Sequence, residues 1–268
     1  MQKIWITGAS SGIGRALAIH YAKQQQPLLL ALVSRRVSEL DSLQAELLSH
    51  YQVQSLVYAL DVRDEAALKG AAEHFIETHG VPNVVIASAG VSRGTLTEFS
   101  EDIPAFQAVM DINVMGMIHT FHPFIQAMKL ARKAEQQAQF VGFASVAGIR
   151  GLPGAGAYSA SKAAVISYLE SFRVEMANFD IAVTTIAPGY IRTPMTAIND
   201  YPMPFLMDAD LAASKFIQAI ETKRRYIVIP WQMGWVAKLM RMIPDCLWDY
   251  LMKKAPHKKR ISDERPSN

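Results

Sequence analysis

The chain has 268 residues, half of them apolar, with a formal net charge of +3 and one cysteine, Cys246. That length and apolar content build one domain with a sizeable core; a lone cysteine excludes an intramolecular disulfide and fits a reducing, cytoplasmic compartment. The charge is too small to argue for nucleic acid, no apolar run reaches the roughly 18 residues of a membrane span, and the seven histidines lack the cysteine partners and spacing of a metal site.

The first expected strand covers 2–6 and runs into Gly8-Ala9-Ser10-Ser11-Gly12-Ile13-Gly14, after which Ala16, Leu17, Ile19 and Ala22 recur with helical spacing. With a strand expected almost at once, nothing at the amino terminus resembles a signal peptide. Gly8 permits a tight turn, Gly12 leaves backbone amides uncovered, and Gly14 lets helix and strand pack closely. Such a turn presents the positive end of a helix to a pyrophosphate, the signature of a dinucleotide site. The next strand, 28–33, is followed by Ser34, Arg35 and Arg36. An acidic residue there would hold the ribose 2′-hydroxyl of NAD, whereas a guanidinium binds a 2′-phosphate. The position therefore favours NADP(H) over NAD(H), with Arg35 as the contact and Arg15 as a second candidate.

Further strands at 54–60, 83–87, 139–144, 181–187 and 225–229 alternate with helices that begin near 12, 37, 64, 102, 157 and 208. Alternation without a linker or repeat implies an α/β fold: a single Rossmann-type domain with a doubly wound parallel sheet of about seven strands and helices on both faces. Ligand then belongs at the carboxyl ends of the strands, where Gly8, Asp61, Gly90, Ser145 and Gly189 all fall. In the helix read as 157–179, Tyr158 and Lys162 lie four apart on one face, and Ser145 stands thirteen residues before Tyr158. A phenol beside a fixed cation loses its proton more readily. Bringing it from a pKa of about 10 to neutral pH takes about 4 kcal/mol of charge stabilisation. That is the requirement for a phenolic acid/base catalyst, although on an ordinary helix the same pair is a solvated face.

Together these motifs resemble those of the short-chain dehydrogenase/reductase family over about residues 1–230. Thr7 to Gly14 matches its Thr-Gly-x-x-x-Gly-x-Gly signature, Tyr158-Ser-Ala-Ser-Lys162 its active-site motif, Ser145 its serine, and Asn113 in Asp111-Ile-Asn-Val-Met-Gly116 its helix asparagine. Asp61-Val62 matches the pair placed against adenine, and Pro188-Gly189, with Ile191 and Thr193, the segment that closes over the nicotinamide. One departure stands out: where the family carries Asn-Asn-Ala-Gly after the fourth strand, this chain has Ala87-Ser88-Ala89-Gly90. The Ala-Gly end that meets the cofactor is kept, so the change bears on local rigidity.

The resemblance implies that Tyr158 exchanges a proton with the reacting oxygen and that Ser145 hydrogen-bonds the same oxygen. Lys162 would bind the nicotinamide ribose and keep the phenol acidic, and Asn113 would hold a water linking Lys162 to solvent. It also makes Ser10, Ser11, Ile13, Ser34, Asn113, Tyr158 and Lys162 cofactor contacts beside those already named. A homo-dimer or homo-tetramer is implied through the helices near 102 and 157.

The segment between Pro194 and Asp208 holds Met195, Ile198, Tyr201, Met203, Phe205, Leu206 and Met207. In the family it forms a lid, and its apolar, Met-rich content points to a lipophilic carbonyl or alcohol as the small-molecule partner; the same side chains could equally pack the lid onto the core. Beyond the catalytic domain, expected over 1–230, comes a helical extension, 231–256. It carries Trp235, Leu239, Met242, Leu247, Trp248 and Leu251 on helical spacing among basic residues, with Pro244 breaking it in two. Such a segment can lie in a membrane interface, cover the mouth of the site or meet a subunit. The end, 257–268, reads as basic, polar and disordered. The function expected is that of an NADP(H)-dependent oxidoreductase acting on an alcohol or carbonyl. The alternative is a nucleotide-sensing or scaffold protein on the same fold, which need not retain Ser145, Tyr158 and Lys162.

Overall fold

A computed structural model describes residues 1–253, 258 and 260. Its central strand, β1 (Gln2–Thr7), divides its side chains between two cores, with Ile4 and Ile6 on one face and Trp5 on the other. The neighbouring β2 (Leu28–Ser34) repeats the division, Leu28, Leu30 and Leu32 against Leu29, Ala31 and Val33. A strand covered on both faces has no polar side, which is why β2 reads as an unbroken apolar run. β3 (Gln54–Ala59), β4 (Val84–Ala87), β5 (Gln139–Phe143) and β6 (Ala182–Pro188) extend the sheet. After a separate two-residue ladder, β7 (Ile191–Arg192) with β8 (Met207–Asp208), the strand β9 (Tyr226–Ile229) completes it. All seven strands of the main sheet are parallel, in the order β3-β2-β1-β4-β5-β6-β9. The fold is the expected doubly wound α/β domain.

Helices α1 (Gly12–Lys23) and α2 (Val37–Tyr51) close one face, joined there by Phe216 and its neighbours on a later helix; α3 (Glu65–His79) lies on the other. That second face is aromatic. The Trp5 ring has its centroid 5.0 Å from Phe124 and 5.7 Å from Phe75, both edge-on, the favoured geometry for aromatic pairs.

The helix expected from about 102 is a succession of turns of different pitch. It runs through α4 (Ile103–Met110), a π-helical stretch (Asp111–Met115), α5 (Gly116–Phe121), a 3-10 turn at His122–Phe124 and α6 (Ile125–Lys133). Pro123 has no N–H to continue the ladder, and the π turn marks the place where Asn113 reaches out of the helix to another loop. Next comes α7 (Gly156–Ala177), the helix of Tyr158 and Lys162. It is followed by α8 (Pro194–Ala197), then by α9 (Ala209–Glu221), which packs beside α1 and carries Phe216.

The extension forms two helices, α10 (Trp231–Met242) and α11 (Asp245–Met252), parted at Pro244. Beyond them two residues expected to be disordered are packed. Arg260 Nε lies 3.1 Å from the buried Asp102 carboxylate, with its guanidinium 3.6 Å from the centre of the Phe99 ring. Lys258 Nζ lies 3.5 Å from the Met195 carbonyl oxygen. The other positions of 257–268 lie outside the described residues.

This topology creates the site. From β1 the chain winds outward through β2 and β3, then crosses to β4 on the opposite side. Between the carboxyl ends of β1 and β4 the flanking loops diverge and leave a crevice.

Candidate active site

A cleft of about 380 Å³ opens along those strand ends. At one end is the glycine turn. Gly8 holds φ +72°, and a Cβ on it would lie 2.8 Å from the Ala89 backbone; a Cβ on Gly14 would lie 2.3 Å from the Gly8 carbonyl oxygen. Both positions therefore demand glycine, one for its backbone conformation and its neighbour, the other for the approach of α1 to β1. Ser10, Ser11, Gly12 and Ile13 border the cleft at the amino end of α1, where unpaired amides and the helix dipole favour an anion.

The arginine that turns toward this loop is Arg36, at the start of α2. Its guanidinium donates to Ser10 Oγ at 2.8 Å and to Ser11 Oγ at 2.5 Å, while the Ser10 and Ser34 hydroxyls lie 2.7 Å apart. Arg35 also borders the cleft, with its guanidinium 3.5 Å from Asp61. Arg15, the second candidate for a phosphate, is instead paired with Glu46 on α2. The reason is helical geometry: α1 and α2 lie side by side, and Arg15 points across to α2. Asp61 and Val62 close this end of the cleft. The hydrogen bond from Arg63, with Arg35 near by, holds the Asp61 carboxyl below the usual carboxylate range.

At the other end are Ser145, Tyr158 and Lys162. Ser145 begins the 3-10 turn after β5, accepting a hydrogen bond from the Ala147 amide at 3.2 Å, and it also bonds the Tyr158 hydroxyl. Lys162 is buried; its Nζ donates to the Phe143 carbonyl oxygen at 2.8 Å and lies 5.8 Å from the centre of the Tyr158 ring. Burial raises the Tyr158 pKa above its ordinary value, and the Ser145 hydrogen bond offsets only part of that rise. Desolvation brings the Lys162 ammonium down to about 8. Both shifts come from desolvation: Lys162 is buried, and Tyr158 is partly buried in the cleft wall.

Asn113 is placed differently from the other expected contacts. Its side chain is fully buried and outside the cleft lining; Oδ1 accepts from the Val91 amide at 2.8 Å, and Nδ2 donates to the Val91 carbonyl and to Ser161 Oγ. The side-chain amide is thus committed to protein partners, and it ties the loop after β4 to the helix of Tyr158. Ala89 and Gly90 stand on that loop, facing Pro188, Gly189 and Ile191 across the cleft. Thr193 caps α8 through a reciprocal pairing with Thr196, and its side chain would touch a Cβ placed on Gly12. Arg36 stands beside Arg35 and Ser161 lies within the Tyr158–Lys162 motif, but neither of them, nor Thr196, is singled out by the sequence as a site residue. Their parts depend on side-chain direction, for which the local signal is only that Arg36 follows Arg35 and Thr196 follows Thr193 by one helical turn.

A family model described as short chain dehydrogenase matches residues 2–201. The chain belongs to the short-chain dehydrogenase family. A relative from Myxococcus xanthus, named an uncharacterized oxidoreductase, is 32% identical over 91% of this chain and 93% of its own. Two solved structures show the same fold. One is a short-chain dehydrogenase/reductase from Burkholderia phymatum in complex with NAD, with a TM-score of 0.77 and 24% identity over 96% of this chain and 97% of that one. The other is a short-chain dehydrogenase from Sphingobium yanoikuyae in complex with NADPH, with a TM-score of 0.75 and 20% identity over 100% and 99% of the two chains.

The buried Lys162 of this dehydrogenase gives a pH-dependent stability. From about pH 8 up to the ordinary lysine value, the unfolded chain binds more protons than the folded one, so this residue's contribution to stability rises with pH. Urea denaturation of the wild type and of Lys162→Met, at about pH 7 and about pH 9.5, should show the wild type gaining relative to the variant. A difference that does not change with pH would contradict this.

Proposed function

We propose that the protein is an NADP(H)-dependent oxidoreductase that interconverts a lipophilic carbonyl compound and its alcohol, with Tyr158 as proton donor and acceptor. The observation that carries this reading is the convergence of Ser145, Tyr158 and Lys162 at one end of a cleft whose other end is a glycine turn on a helix amino terminus. The turn would hold the pyrophosphate, and Asp61 and Val62 the adenine. Ala89, Gly90, Pro188, Gly189, Ile191 and Thr193 would border the nicotinamide, with its ribose on Tyr158 and Lys162. When bound, the cofactor supplies a hydride in one direction and accepts one in the other.

The raised Tyr158 pKa keeps the phenol protonated at neutral pH, which suits donation to a carbonyl oxygen. Ser145 would bind that same oxygen and stabilise the charge that develops on it. Lys162, charged below about pH 8, would favour charge on the phenol once its proton has left.

NADP(H) is favoured because the guanidinium at the glycine turn is Arg36, while the position after β2 offers the Ser34 hydroxyl and no carboxylate. The lipophilic substrate is supported by Met195 at the cleft and by the half-buried Met203, Leu206 and Met207 on the segment above it. A homo-oligomer is supported by Ile103 and Phe106, exposed on α4, and a cytoplasmic setting by the single exposed thiol, Cys246.

A panel of ketones and aldehydes, read by loss of NADPH absorbance, should contain a substrate; tight NADPH binding with no turnover would favour the sensor reading. With that substrate, Tyr158→Phe should lower kcat by about 10²–10⁴-fold, the usual contribution of a general acid, while the Kd for NADPH stays nearly unchanged. Retained turnover would remove Tyr158 from the mechanism. Arg36→Ala should weaken NADPH binding by about tenfold or more and leave NADH binding little altered; equal losses for both would sink the cofactor assignment.

A further inference from the structure

On α10, Trp231, Trp235, Leu239 and Met242 follow one another at helical spacing, and they are 67%, 65%, 65% and 79% exposed. The opposite side of the helix is packed, through Met233 and Ala237. After Pro244, Leu247, Tyr250 and Leu251 on α11 are exposed as well. Large apolar side chains gathered in this way mark an interaction surface rather than scattered surface residues.

The helices are held so that this surface stays out. Arg150 donates to the carbonyl oxygens of Met240 and Ile243, each at 2.5 Å, pairs with Asp245 at 2.8 Å and stacks its guanidinium on Trp248. Those contacts take up the carboxyl end of α10 and the start of α11, and they leave the Trp231–Met242 stripe uncovered.

Charge chooses the partner. On the two helices Lys238, Arg241 and Lys253 are exposed against Asp245 and Asp249, and Asp245 is already paired with Arg150, so the rim is left basic. Lys238 and Lys253 are exposed beside the apolar stripe, and the Lys238 ammonium lies 5.0 Å from the centre of the Trp235 ring. A second copy docked face to face would bring two basic rims together, which repel. Anionic lipid headgroups attract the same rim, and indoles settle at the depth of those headgroups. Among the described residues no helix is long and apolar enough to cross a membrane, so the contact lies in the plane of the surface.

We propose that the α10–α11 unit docks the protein on an anionic lipid bilayer, with Trp231, Trp235 and Leu239 inserted and Lys238 and Lys253 at the headgroups. The cleft is close to that surface: a Cβ on its Gly189 would lie 2.6 Å from Met233 of α10, and Arg150 stands five residues beyond Ser145.

The test is co-sedimentation and tryptophan emission of the full chain with mixed phosphatidylglycerol–phosphatidylcholine vesicles, pure phosphatidylcholine vesicles serving as the comparison. It reads binding without turnover, so it stands or falls apart from the enzymatic reading. The mixed vesicles should bind the protein with a blue-shifted emission, about tenfold or more tighter than the neutral ones. Trp231→Ser/Trp235→Ser/Leu239→Ser should lose the binding. Lys238→Glu/Lys253→Glu, which leaves the apolar stripe intact, should weaken binding to the mixed vesicles by about tenfold or more and hardly affect the neutral ones. No binding by the wild type, or equal binding by both variants, overturns the proposal. So does concentration-dependent self-association that the serine variant abolishes while the vesicles take up no protein.

Discussion

The buried hydrogen bond from Lys162 to the Phe143 carbonyl is the contact around which the site is arranged. It joins α7 to the end of β5 and fixes an ammonium where water is excluded. A cation held there disfavours further positive charge near by and favours negative charge, so under the proposed mechanism the neighbouring phenol has a partner ready when it loses its proton. On that reading, desolvation of the phenol keeps its proton on until then. The two shifts are therefore complementary, and neither requires the phenol to be acidic at rest.

Around that contact the structure is a set of close approaches. Gly148 admits the backbone of α7 at Lys162, where a Cβ would lie 2.5 Å from the Lys162 carbonyl carbon. Asn113 ties Val91 to Ser161, one residue before Lys162. That tie sits on the loop that follows Ala87 and Ser88, where the family carries two asparagines. With short side chains at those positions, the loop keeps its anchor through Val91 to Asn113, and through Asn113 to Ser161 on α7. Strand ends bring the glycine turn, Ser145 and the Pro188–Thr193 segment into one crevice, so the distance from anion-binding amides to phenol is set by the sheet and not by loops.

Much of this was legible in the order of residue types. The Gly8–Gly14 turn, the unbroken apolar strand at 28–33 and the Tyr158–Lys162 spacing each report a backbone requirement, and backbone requirements leave local traces. Direction across space leaves none. That Arg36 faces Ser10 while Arg15 faces Glu46 depends on how α1 and α2 pack, and no spacing along either helix encodes it. Tyr158 shows the same limit: a cation four residues away is visible in the sequence, whereas the desolvation that opposes it arises only from tertiary packing. The seating of Arg260 on Asp102 and Phe99 is likewise a contact between distant segments.

The central claim is that the resting site holds a protonated phenol beside a buried lysine. Ultraviolet difference titration of the wild type against Tyr158→Phe isolates the ionisation of this one tyrosine. The Tyr158 phenol should remain protonated through neutral and mildly alkaline pH and ionise only above the ordinary tyrosine value of about 10. A tyrosinate signal assigned to Tyr158 near pH 7 would contradict the account.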